Sequence, residues 1–259
     1  MISFSYLGNH GRLGNQMFQY AMLLGVQARM GYNIVLNENI GSIQLMQCFD
    51  IKGCHFFNER DVFTPNKFEE KQFHFDKKIL RAEDHTDFKG YFQTEKYFEH
   101  CVDKVRQEFT FKEEIRNRAA AWIEPYKQYN LVSLHVRRTD YVHLPNHHPL
   151  CTLDYYKAAI AEFQEPNTHF IIFSDDIEWC KENLQIENAT FASTGSDYVD
   201  LCVMSMCNHH IIANSSYSWW GAWLNPSETK RVIAPKIWFG PAYFHWKTED
   251  IYLPYFTVI

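Results

Sequence analysis

Nowhere does the 259-residue chain approach the run of roughly 18 apolar residues that a membrane-crossing helix needs. Its first residues, Met1 to Leu7, lack the basic cluster and long apolar stretch of a secretory leader. A soluble, cytoplasmic protein is expected, with peripheral association at the inner face of the membrane left open. Basic residues are also in deficit: 25 Lys and Arg against 31 Asp and Glu give a net charge of -6. That balance argues against a broad nucleic-acid-binding surface, so any anion site must be local. The seven cysteines, at 48, 54, 101, 151, 180, 202 and 207, include no Cys-x-x-Cys pair and are odd in number. No zinc framework is expected, and free thiols are the default. The glycines at 8, 11 and 14 miss the Gly-x-Gly-x-x-Gly spacing of a dinucleotide site, which weakens a nicotinamide-dependent dehydrogenase. Short-period repeats and low-complexity tracts are missing too.

What is present is a globular composition, 46% hydrophobic, long enough for one large domain or two of about 120 residues. The 17% aromatic content suits bulky cores and sugar-stacking surfaces alike. Ile2, Phe4 and Tyr6 alternate with serines as in a strand. A glycine-rich loop follows, then a helix over residues 16 to 29 with Asn15 as its N-cap. A short strand is expected at 33 to 36. Residues 41 to 89 look irregular, with a break at Pro65, and helices are expected at 95 to 109 and 112 to 122. Polar residues 127 to 130 then suggest a boundary, giving domains 1 to 128 and 129 to 259. The second domain has a regular βα rhythm. Strands are expected at 131 to 136, 169 to 173, 189 to 192, 210 to 213 and 231 to 234, with helices at 153 to 163, 177 to 183, 198 to 207 and 217 to 224. Such alternation predicts a parallel sheet covered on both faces.

Three strand exits in this half carry polar residues: His135-Val136-Arg137-Arg138-Thr139-Asp140, Ser174-Asp175-Asp176 and Asn214-Ser215-Ser216. In a parallel sheet they share one edge, where arginines suit a diphosphate, a carboxylate suits a guanine, and serines at a helix start suit phosphate oxygens. Singly, the Asp and Ser groups also read as helix caps, and the arginines as exposed surface. An Asp pair holding a metal is the weaker pattern, because no third oxygen donor lies nearby. His143, His147 and His148 follow the first motif, where a general base or a solvated loop would both fit. His209 and His210 read as structural, and the Trp219 to Trp223 stripe as core.

Gly11-Arg12-Leu13-Gly14-Asn15-Gln16-Met17, Gly90-Tyr91-Phe92-Gln93, His135 to Tyr141, Cys207-Asn208-His209 and the 214 to 220 stretch together resemble glycosyltransferase family 11, the α-1,2-fucosyltransferases. The resemblance implies an α/β protein of GT-B fold, two facing Rossmann-like domains with parallel sheets and an inter-domain cleft. It also implies inverting, metal-independent transfer of L-fucose from GDP-β-L-fucose to the 2-hydroxyl of a galactose-terminated glycan, with no cofactor and no nucleic-acid partner. By the same resemblance, Arg137 holds the β-phosphate, Arg138 braces the cleft, His135 and one of Asp175 or Asp176 contact guanosine, and Ser215 or Ser216 the phosphates. Arg12, Asn15 and Asn214 join the donor side. Gly11, Asn15, Gln16, Tyr91 and Gln93 face the acceptor from the N-terminal domain. The base is Asp140 or His143, unless a dissociative transition state makes one unnecessary. The alternatives are another GDP-sugar transferase, α-1,6-fucosyl or mannosyl, and a binding module that recognises nucleotide sugar or glycan without turnover.

Overall fold

The computed structural model describes residues 1–37, 43–57 and 66–259; the break expected at Pro65 lies outside them. The chain divides into two compact units, 1–112 with 246–251, and 113–245 with 252–259.

The first unit contains β1 (Ile2–Ser3), α1 (Leu13–Met30), β2 (Ile34–Asn37), α2 (Gln44–Cys48), β3 (Cys54–Phe57), β4 (Asn66–Glu69), β5 (Thr86–Lys89) and α3 (Val102–Glu108). Among the described residues its five strands are parallel, in the order β3-β2-β1-β5-β4. Residues 13 and 14 and 16 to 26 of α1 are buried, so this helix has an apolar surface nearly all round and sits inside the unit. It stops at Gly31, whose φ of +74° lets its N–H reach the Gln27 carbonyl. The helix starts earlier than the sequence suggested, with Arg12 rather than Asn15 at the N-cap and no side-chain cap bond there. Strands β3, β4 and β5 lie in the stretch that reads as irregular, because four-residue segments carry little periodicity. The continuous helix expected from 95 is two 3-10 turns and then α3. Phe98 breaks it at φ -135°, a conformation that keeps its ring fully buried.

The second unit contains α4 (Glu113–Ile123), β6 (Asn130–Val136), α5 (Leu153–Ala161), β7 (Thr168–Ser174), α6 (Ile177–Asn183), β8 (Ala189–Phe191), α7 (Asp197–Met206), β9 (His209–Ile211), α8 (Ser216–Leu224), β10 (Val232–Ala234) and β11 (Phe256–Val258). All six strands are parallel, ordered β11-β10-β9-β6-β7-β8. The strand order reverses between β6 and β9, which makes a topological switch point there. Residues 131 to 136 of β6 are all buried, as a strand covered on both faces must be. Thr152, Asp176 and Ser215 cap α5, α6 and α8 by accepting backbone N–H bonds. Trp219, Trp220 and Trp223 lie entirely in the core. Helix α4 packs on α7 and so belongs to the second unit, which puts the division near residue 112 rather than 128. None of the seven cysteines is in a disulfide. Among the described residues no helix is long and apolar enough to cross a membrane.

Candidate functional site

The carboxyl ends of β6, β7 and β9 are neighbours, in register with Val136 beside Ser174 and Leu134 beside Ile211. Their exits therefore meet at the switch point. Arg137 lies between two carboxylates, its Nη2 2.6 Å from Asp140 Oδ1 and its Nη1 2.9 Å from Asp175 Oδ2. Asp175 also accepts from the Arg138 backbone N–H at 2.9 Å and the Thr139 hydroxyl at 2.6 Å. Both of its oxygens are thus engaged in shaping the loop after β6. Asp176 splits its oxygens between the Trp179 N–H, which caps α6, and Arg138 Nε at 3.0 Å. The Arg138 guanidinium lies 4.0 Å from the Trp179 ring centroid, a cation–π contact. The two arginines accordingly face different partners, as adjacent residues on extended backbone do. Two positive against three negative side chains leave the cluster at about -1.

His135 is buried one residue before the end of β6, with Nδ1 lacking a hydrogen-bond partner. Burial, reinforced by the nearby Arg137 charge, lowers its pKa to about 3, so the ring is neutral at ordinary pH. Tyr141 donates to the Asn214 carbonyl at 3.1 Å and stacks on His148 at 4.8 Å, joining the first and third exits. The Asn214 side chain donates to the Pro149 and Trp238 carbonyls at 2.9 and 3.0 Å. It anchors two loops. Ser215 accepts from the Tyr217 N–H and Ser216 opens α8. His143 is exposed at the end of a 3-10 turn.

In the first unit, Gly11, at φ +100°, precedes α1, and a Cβ there would sit 2.3 Å from Asn15 Nδ2. Only glycine fits. Asn15 Oδ1 accepts from Gln93 Nε2 at 2.8 Å, and His10 stacks on Tyr91 at 4.5 Å. Gln16 is buried, donating to the Gly11 carbonyl and accepting from the Leu45 N–H, so it holds the loop rather than facing solvent. Arg12 is exposed at the N-cap of α1. Residues that the sequence reading did not single out include Thr139, Trp179 and Tyr141, which orient the arginines and their loop. Thr139, inside the first motif, and Tyr141, next to it, carried a signal; Trp179 carried none. Among the described residues no group of three His, Cys, Asp or Glu is arranged to hold a metal ion.

The sequence profile of glycosyl transferase family 11 matches residues 6–259. The chain is 34% identical to an alpha-1,2-colitosyltransferase of Escherichia coli over 88% of this chain and 90% of that one. It is 27% identical to human galactoside alpha-(1,2)-fucosyltransferase 1 over 85% of its own length, and spans 65% of that protein. In fold it resembles the fucosyltransferase NodZ from Bradyrhizobium, with a TM-score of 0.58 at 14% identity over 87% of this chain and 93% of that one. POFUT1 in complex with GDP matches with a TM-score of 0.56 at 13% identity over 90% and 96%. These two likenesses concern the fold alone, which is of the GT-B class.

Proposed function

The chain belongs to glycosyltransferase family 11, and on that premise we propose that it transfers L-fucose from GDP-β-L-fucose to the 2-hydroxyl of a terminal β-galactoside, with inversion and without a metal ion. The observation that carries this reading is Arg137, a mostly buried guanidinium at the switch point of a parallel sheet. The bond from fucose C1 to the β-phosphate oxygen breaks through an oxocarbenium-like transition state, and negative charge grows on the departing GDP. Arg137 offsets that charge, together with Ser215, Ser216 and the backbone N–H groups opening α8. The neutral His135, with its unsatisfied Nδ1, suits a hydrogen bond to the guanosine. Asp175 or Asp176 reaches the guanine only by giving up a bond to the arginine loop; as they stand, both brace it.

Phosphate needs room on Arg137. Asp140, 40% exposed against 20% for Asp175, is the partner that yields. Once released it is a carboxylate beside the reacting centre, able to take the acceptor proton; His143 is the other candidate base. The first unit supplies the acceptor side through Gly11, Asn15, Tyr91 and Gln93, with Gln16 holding their loop.

The 34% identity to a colitosyltransferase favours a second reading, in which the donor sugar is colitose, the 3-deoxy counterpart of fucose. Incubation with lactose and each GDP-sugar in the presence of a chelator, followed by NMR of the product, decides between them. An α-1,2-fucosylated product is expected. Preference for the 3-deoxy donor selects the second reading. A different linkage, use of GDP-mannose, or binding without GDP release overturns both.

A further inference from the structure

The turn after β5 holds two residues at positive φ within three positions, Gly90 at +153° and Phe92 at +52°. For a buried aromatic residue the left-handed region is strained and persists only where the surroundings enforce it. Two side chains enforce it here. Glu70, one residue beyond β4, accepts the Tyr91 N–H at 2.7 Å and the Phe92 N–H at 3.1 Å. Gln19 of α1 donates to the Gly90 carbonyl at 3.0 Å and the His10 carbonyl at 2.9 Å. A Cβ on Gly90 would come within 2.4 Å of Glu70 Cβ, so glycine is what permits the carboxylate to approach. The Phe92 ring goes into the core, edge-on to Phe4, Phe88 and Tyr97. The residues on either side of it are directed elsewhere: Tyr91 stacks on His10, and Gln93 bonds Asn15.

We propose that Glu70 is a positioning residue for the acceptor. It locks the 90–93 turn so that Tyr91, backed by His10, meets the C–H face of the galactose ring while the Asn15–Gln93 pair meets its hydroxyls. This rests on the reading of the first unit as the acceptor side. Glu70 touches neither substrate; it acts through the Tyr91 and Phe92 amides. A carboxylate accepts both N–H groups, whereas a glutamine of the same shape turns an amide N–H toward one of them, and the turn relaxes.

The test is steady-state kinetics of Glu70→Gln and Tyr91→Ala with GDP-fucose and lactose, alongside GDP release without acceptor and thermal melting. In both variants the KM for lactose rises about tenfold or more, as expected for a misplaced substrate contact. In Glu70→Gln the KM for GDP-fucose and the acceptor-independent GDP release stay at the wild-type level. A folded Glu70→Gln with unchanged lactose KM, or with both KM values rising together, overturns the proposal. If Glu70→Gln does not fold, Glu70→Asp, whose shorter side chain withdraws the carboxylate from the Tyr91 and Phe92 amides, decides by the same split. A wild-type protein that does not form an α-1,2 linkage on lactose overturns the functional reading instead, so the two failures are distinguishable.

Discussion

Arg137 and Arg138 are adjacent in sequence and differ in surroundings. Arg137 lies between the more exposed Asp140 and the more buried Asp175, while Arg138 is wedged between Asp176 and the Trp179 ring. Arg138→Ala removes a charge-assisted bond and a ring contact, so it lowers stability by about 1–3 kcal/mol in urea unfolding. Its effect on turnover should be smaller than that of Arg137→Ala. A larger effect would place Arg138 on the phosphates. Asp140→Asn takes the cluster from about -1 to neutral and leaves Arg137 a single carboxylate. GDP should then bind more tightly by calorimetry, and weaker binding would contradict displacement of Asp140 by phosphate. The residue types were legible in the sequence because strand exits concentrate polar groups. Their partners were not. Asp175 lies 37 positions from Arg138, and only the register of β6 with β7 brings the two together. Nor could the sequence reveal that Asn214 and Gln16 spend their amides on backbone groups.

At the scale of elements, the second unit was readable because its central strands are largely apolar and buried, and capped helices follow them. β11 escaped, since a three-residue edge strand with two exposed positions carries no pattern. In the first unit, α1 was legible and its neighbours were not. Gly25 shows why: a Cβ there would lie 2.0 Å from the Tyr97 carbonyl, so the 3-10 turns after residue 94 press directly on the helix backbone. Gly25→Ala should destabilise the protein by about 1–3 kcal/mol, as overpacking does. Strands β6 and β9 are tied to the end of α8 by a buried polar chain. His210 Nδ1 is 2.8 Å from Ser133 Oγ, and Asn225 Nδ2 is 2.8 Å from His210 Nε2. Burial lowers the His210 pKa from 6.5 to about 3, so the unfolded chain binds a proton that the folded one does not. Its stability contribution is complete above pH 6.5 and is lost as pH falls from there toward 3, by up to about 1.4 kcal/mol per pH unit. Urea midpoints of wild type should fall more steeply over that window than those of His210→Gln. Equal slopes would show that His210 does not titrate this way.

For the whole molecule, length and composition left one domain or two open; the strand–helix alternation of the second half pointed to a parallel α/β sheet, and the polar residues 127 to 130 to a boundary. The return of residues 246–251 to the first unit was invisible, since it depends on pairings across the chain: Asp250 accepts the Phe75 N–H at 2.8 Å and pairs with Lys96. On the proposed function, the net charge of -6 means that attraction for a nucleotide sugar comes from the arginines at the switch point rather than from the molecule as a whole. GDP release by Arg137→Ala, with GDP-fucose and lactose supplied and the melting curve recorded on the same sample, tests that most directly. Loss of one preorganised charge partner predicts a fall in turnover of about 10²–10³-fold or more with the fold intact. Turnover close to wild type in a folded Arg137→Ala protein would contradict the account.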